Sequence, residues 1–277
     1  MKIVYSNECL EYEKPGHPES PRRVEKAYEF LKKSDYSFSN PIKSVESKLS
    51  LVHSEELIRK VRENEFTDSV SLNYDRIFRY ALLSVGGAIK AQKLSQKGET
   101  AFSLMRPPGH HAGKEFLGGF CYFNSLAISV KNSGLKTLII DFDGHHGNGT
   151  QDIFSNNEKV TYLSLHRSPL YPGTGGESKR NALNYPLQAK CGEDEYLSTL
   201  KGGLESVQSM KDYEQVALSA GFDTYKGDLA SLGLKEASFR KIGEIIGELD
   251  LKTFAVLEGG YTDKLGGLIH EFLKGTN

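Results

Sequence analysis

The segment Asp141-Phe142-Asp143-Gly144-His145-His146 is the part of this sequence most directly suited to chemistry. Along an extended strand, side chains at i, i+2 and i+4 share a side, so Asp141, Asp143 and His145 project together while Phe142 turns into packing. Carboxylates held together are costly unless something positive lies among them, and mixed oxygen and nitrogen donors suit a divalent metal such as zinc. A solvated Asp/His loop is the competing reading of an isolated D-x-D-x-H pattern. A catalytic zinc site typically takes three protein ligands and leaves one position for water or substrate. Asp143 and His145 supply two, and Asp223, in SAGFDTYKGD, is the best candidate for the third. Taken alone, Asp223 reads more readily as a turn former or helix cap.

His110 and His111, in MRPPGHHAG, form a second cluster without acidic neighbours of its own. The prolines fix the approach of the chain and the glycines let backbone come close, so both imidazoles can be held at a defined place. Histidine titrates nearest neutrality, which makes either a natural general base or acid, and Asp141 is free to orient one of them. A second ligand pair or a packed loop is the alternative. Tyr261 follows two glycines in LEGGYTDK; by itself it would simply pack, but aimed at a metal its phenol would donate to a developing oxyanion.

These residues need elements to bring them together. Apolar runs of strand length recur at KIVY near the start, TAFSLM (100–105), TLIIDF (137–142), VTYLSLH (160–166), QVALSAGFD (215–223) and TFAVLEGGY (253–261). Helical spacing fills PRRVEKAYEFLKK, Phe78 to Leu94, Glu195 to Met210 and Ser238 to Leu249. Strands apolar on both faces that alternate with helices predict an α/β fold with a mainly parallel sheet flanked by helices on both faces. RPPGHH, DGHHGNG, FDTYKGD and GGY all follow such runs, and ligands of open parallel sheets bind beyond the C-terminal strand ends. Four loops are therefore expected at one site.

Composition bounds the rest. The chain has 277 residues with 38% hydrophobic and 26% charged, enough to bury a large core. Lys and Arg number 35 against 36 Asp and Glu, a net charge of -1, so no whole-chain basic field advertises nucleic acid or an anionic membrane. Cys9, Cys121 and Cys191 are odd in number, far apart and without a C-x-x-C pair, which suits a reducing compartment. The start lacks a secretion signal's apolar run, and no stretch reaches the ~18 to 20 apolar residues of a bilayer span. A cytoplasmic protein is expected. Without repeats or a linker, residues 1–277 read as a single domain.

The motifs together resemble the histone deacetylase and acetylpolyamine amidohydrolase superfamily, and most of all its class II branch. The matching stretches are HPESPRRV (17–24), RPPGHHA (106–112), GGFCYFN (118–124), DFDGHHGNGTQ (141–151), SLHRSPLYPGTG (164–175), SAGFDTYKGD (219–228) and LEGGY (257–261), in the family's order. The resemblance implies a single catalytic domain of the arginase/deacetylase fold, with Asp143, His145 and Asp223 as ligands of zinc, ferrous iron being the other candidate. It implies that His110 and His111 are the tandem catalytic histidines, Asp141 the carboxylate behind the first, and Tyr261 the phenol facing the substrate carbonyl. Phe120 and Tyr171, with Gly119 and Leu229, would line the channel that grips the acylated chain. It further implies a structural potassium ion held by Asp141, Ser164 and the carbonyls of Asp143, His145 and Leu165, and a second cation near the backbone of Phe154, Asn157 and Val160.

Asn148 stands where some branches carry a second Asp, so His111 lacks an anionic partner and its pKa should be less elevated. Leu229 or Ala230 takes the place of a gatekeeper residue; neither is acidic, which weakens a preference for cationic polyamines. Either Asp68 or Asp75 would be the rim aspartate that clamps substrate backbone. The activity expected is hydrolysis of an N-acyl amine, acetyl-lysine or an acetylated small amine such as an acetylpolyamine, with His111 as base and acid. The competing readings are a ureohydrolase with two manganese ions and a module that binds acyl-lysine without cleaving it.

Overall fold

The computed structural model describes residues 1–43 and 45–276. In chain order its elements are β1 (Lys2–Val4), α1 (Pro21–Leu31), β2 (Ser37–Ser39), α2 (Glu55–Glu63), α3 (Ile77–Ser95), β3 (Ala101–Ser103), α4 (Ser125–Ser133) and β4 (Thr137–Asp141). They continue with α5 (Asn148–Phe154), β5 (Val160–Arg167), β6 (Ala182–Leu187), α6 (Gly192–Glu205), β7 (Gln215–Ala220), α7 (Glu236–Gly247), β8 (Thr253–Leu257) and α8 (Leu265–Gly275). Short 3₁₀ turns fill some connections.

All six apolar runs become strands. Every residue of β3, β4 and β7 is buried, as two-sided packing in a parallel sheet demands. The eight strands form one sheet in the order β2-β1-β3-β8-β7-β4-β5-β6, and every registered pair is parallel. β2 and β6 were not apparent in the sequence. Both are edge strands: β2 has no buried residue, and Pro186 interrupts the apolar pattern of β6 where an edge tolerates a missing N–H donor.

Helices α2, α3 and α4 pack together on one side, and α1, α6, α7 and α8 on the other. Local chemistry sets their ends. α1 opens with Pro21 in its first turn and buries Val24, Ala27 and Leu31 at helical spacing. The Ser54 hydroxyl accepts the Leu57 N–H to start α2, and Asn124 does the same for Ala127 in α4. α6 begins and ends earlier than its periodicity suggested, and Met210 falls in a separate 3₁₀ turn. Among the described residues no helix is long and apolar enough to cross a membrane.

What matters for chemistry is that β3, β8, β7 and β4 are consecutive neighbours. Register places Asp141 beside Ser219 and Ser219 beside Val256, so these strands finish nearly level. The loops that follow them share one rim.

Candidate active site

Asp143 and His145 lie on the loop after β4, and Asp223 on the loop after β7. One donor atom from each lies within 4.8 Å of the others. His145 Nδ1 is 2.8 Å from Asp223 Oδ2 and 3.1 Å from Asp143 Oδ1. The remaining carboxylate oxygens are tied into the frame: Asp143 Oδ2 accepts the Gly259 N–H at 2.7 Å, and Asp223 Oδ1 accepts the Gly144 N–H at 2.8 Å. Asp223 Oδ2 is buried and makes no well-aligned hydrogen bond, its close contact being His145 Nδ1. A Cβ at Gly259 would come within 2.5 Å of Asp143 Oδ2 and 2.9 Å of Asp223 Oδ2, so glycine is needed to leave the carboxylates room.

Burial pushes both carboxyls up; at Asp143 the His110 and His145 charges overcome it, whereas at Asp223 the Asp143 charge adds to it. His145 is half-buried, yet Asp223 and Asp143 raise it to about 10. Two buried carboxylates with an imidazole between them require positive charge, and a dication meets that requirement with donors these residues supply.

His110 and His111 follow β3 and stack with ring centroids 4.0 Å apart. His110 Nδ1 lies 3.1 Å from Asp141 Oδ2, which also accepts the Tyr162 hydroxyl at 2.9 Å. Burial opposes charge on His110, but Asp141 and Asp143 raise it to about 10. His111 differs in kind. Its Nδ1 meets Asn148 Oδ1 at 2.8 Å, and burial with the charges of His110 and His145 holds its pKa well below the ordinary value. Burial and the neighbouring positive charges, against the Asn148 bond, hold His111 towards its neutral form, and donation from Nδ1 leaves Nε2 free to accept a proton.

A cavity of about 210 Å³ opens over these groups, lined by His110, His111, His145, Gly119, Phe120, Tyr171, Leu229 and Tyr261, together with Val70, Pro108 and Gly259. Larger grooves exist, one of about 480 Å³ along α2, but none carries these side chains. Tyr171 packs edge-on against His111 at 5.0 Å, and Phe120 against Tyr261 at 5.9 Å. Gly119 has φ +56°, and a Cβ there would collide with the His111 ring. Leu229 lies at the mouth, 48% exposed; Ala230 is fully buried against Gly144. Neither rim candidate lines the cavity: Asp68 lies beside Gly118, close to Tyr171, and accepts the Val70 and Ser71 N–H groups, whereas the Asp75 side chain is 94% exposed next to Arg76.

Two positioning groups were missed. Glu258 is wholly buried; its Oε2 accepts the N–H groups of Gly109 (2.7 Å) and His110 (3.1 Å), and its Oε1 accepts the Ser219 hydroxyl (3.2 Å). Arg23 donates to the carbonyls of Gly260 (2.7 Å) and Glu258 (2.5 Å), with its guanidinium 4.8 Å from the Tyr261 ring centroid. Each carried a sequence signal: an acid directly following a buried strand, and an arginine on the apolar face of α1.

The two monovalent sites fare differently. Among the described residues the carbonyls of Asp143 and His145 accept no hydrogen bond, and Ser164 Oγ pairs with His166 Nδ1 at 3.0 Å, so the first site retains open donors. The second does not: the carbonyls of Phe154, Asn157 and Val160 all accept from Asn181 Nδ2. The three carbonyls expected at the second cation are thus met by a side-chain amide.

Residues 17–274 match the histone deacetylase domain family. A probable deacetylase of Archaeoglobus fulgidus is 36% identical, aligned over 94% of this chain and 81% of its own length. Acetylpolyamine amidohydrolase 2 of Pseudomonas aeruginosa is also 36% identical, over 61% of this chain and 53% of its own. The crystal structure of the HDA15 HD domain superposes with a TM-score of 0.90 at 28% identity, covering 99% of this chain and 87% of that one.

Proposed function

Because the chain belongs to the histone deacetylase domain family, we propose that residues 1–277 form a single catalytic domain that removes an acetyl or other acyl group from an acylated amine. Asp143, His145 and Asp223 would hold the metal, zinc by donor set, with ferrous iron as the other dication such a set takes. When bound there, it supplies Lewis-acid polarisation of the acyl carbonyl and acidification of a water. His111 Nε2 takes the proton from the attacking water, Asn148 fixing the ring from the other side. The same nitrogen then delivers that proton to the departing amine. The Tyr261 phenol donates to the oxyanion developing on the acyl carbon, and Arg23 braces its ring. His110, charged against Asp141, holds positive potential beside the reacting carbonyl. Phe120, Tyr171, Gly119 and Leu229 enclose the alkyl chain, and Asp68 offers a carboxylate to substrate at the rim.

The observation that carries this reading is the convergence of Asp143, His145 and Asp223 donor atoms beneath a cavity that also holds His111 and Tyr261. Val70, Tyr171 and Leu229 are uncharged, which favours acyl-lysine over an acetylated polyamine; the latter is the second reading, resting on the acetylpolyamine amidohydrolase relative. The test is release of carboxylate from acetyl-lysine peptides, longer acyl-lysines and acetylated polyamines, before and after chelation and zinc restoration. Chelator-sensitive turnover, with lysine substrates preferred, is the expected outcome. Tyr261→Phe should keep its metal yet lose roughly a hundredfold or more in kcat. Binding without release of acid would sink the enzymatic reading, and activity requiring two manganese ions would replace it with a ureohydrolase-like one.

A further inference from the structure

The carbonyls of Phe154, Asn157 and Val160 converge where α5 ends and the chain turns into β5. The last carbonyls of a helix have no partner within it, and oxygens aimed at one point repel one another. Phe154 O already accepts the Asn157 N–H (2.9 Å) and Asn157 O the Val160 N–H (3.2 Å), which leaves each a second lone pair. At the point where the three oxygens meet stands Asn181 Nδ2, 2.8 Å from Phe154 O, 3.3 Å from Asn157 O and 2.7 Å from Val160 O.

The amide is fixed from its other end. Asn181 Oδ1 accepts the Asn156 N–H at 3.2 Å, which sets which end of the carboxamide faces the carbonyls. Its main chain is fixed too, since the Asn181 carbonyl accepts the Tyr162 N–H at 2.9 Å, just before β6 pairs with β5. With two of the oxygens at hydrogen-bonding contact, an ion cannot enter without expelling the nitrogen.

We infer that the Asn181 carboxamide takes the place of a monovalent cation at the α5–β5 turn. α5 carries Asn148, the partner of His111, at its N-terminal end, and β5 carries Ser164. The turn joining them is therefore held by a covalently tethered donor, and its order does not depend on which salt is present. The inference is independent of the reaction proposed above.

Two measurements test it, neither of which reads activity. The first soaks wild-type crystals in thallium(I) as a potassium substitute and reads the anomalous signal. No peak is expected within bonding distance of the Phe154, Asn157 and Val160 carbonyls, and a peak there overturns the inference. The second compares thermal midpoints in potassium chloride and in choline chloride at equal ionic strength. The wild-type response sets the baseline. Asn181→Ala opens the three carbonyls, so its potassium response should exceed that of wild type by about 2 to 4 °C, the shift expected for regaining roughly one hydrogen bond in a chain of this size. Equal responses in the two proteins count against replacement. If the alanine variant does not fold, Asn181→Ser is measured in its place and the same difference applies.

Discussion

Glu258 shows how much of a catalytic arrangement is decided by a side chain that need not touch substrate. A carboxylate that receives two successive backbone amides works as a peg: it fixes the peptide plane between Gly109 and His110, and with it the direction both imidazoles take. Burial pushes Glu258 up to about 7, although the charge on His110 and the Gly109 N–H pull the other way. Protonated or not, the oxygen that meets the amides remains an acceptor. Glu258→Ala should strand both N–H groups, at about 1 to 3 kcal/mol apiece, and lower kcat by about ten- to a hundredfold while KM and metal content hold. Glu258→Gln keeps an acceptor in the same place and should restore most of the rate. If alanine and glutamine variants are equally slow, the charge of Glu258 matters and the peg description is wrong; if both match wild type, the residue positions nothing.

The loops around the site are tied to the helices by buried histidines as well as by packing. His53, at the turn into α2, meets the Gly113 carbonyl through Nδ1 (2.8 Å) and accepts the Asn124 N–H through Nε2 (2.9 Å). Only the neutral ring serves both partners, and burial lowers its pKa from 6.5 to about 4 despite the bond to Gly113. The sign follows from proton counting. As pH falls from about 6.5 towards 4, the unfolded chain binds a proton at His53 that the native ring refuses, so stability is lost across that window, by about 3 kcal/mol in all. Denaturant titrations of wild type and His53→Gln between pH 7 and 4 measure it. The glutamine variant should start less stable at neutral pH and show a shallower decline; parallel curves would mean that His53 is not the group responsible.

At the scale of the molecule, the site is where folding and ligand binding meet. Asp143 and Asp223 come from different strands of one sheet, and their mutual repulsion is set against burial of everything between β4 and β7. A metal that binds only when both loops are in place must stabilise the whole fold. Zinc at a hundredfold over its dissociation constant should add about 2.7 kcal/mol, a rise in the thermal midpoint of roughly 5 to 10 °C. Asp223→Ala should abolish that rise while the apo protein keeps its fold, because the residue's loss also relieves the repulsion. A zinc response that survives in Asp223→Ala would place the ion elsewhere.

Period and composition were enough to determine the alternation of strand and helix, the two-sided burial of the central strands and the loops that carry chemistry, because these depend on side-chain spacing along a few residues of chain. The candidate residue types followed from the D-x-D-x-H, HH and GGY segments for the same local reason. Tertiary structure alone decided the rest. Edge strands β2 and β6 carry little apolar signal, since half their surface is never buried. That Asp68 lies beside Gly118 and Tyr171 while Asp75 is exposed next to Arg76 is a matter of distance in space. Glu258, Arg23 and Asn181 act through hydrogen bonds to backbone groups up to 237 positions away, and a sequence does not reveal which carbonyl or amide a polar side chain will meet until the chain has closed around it.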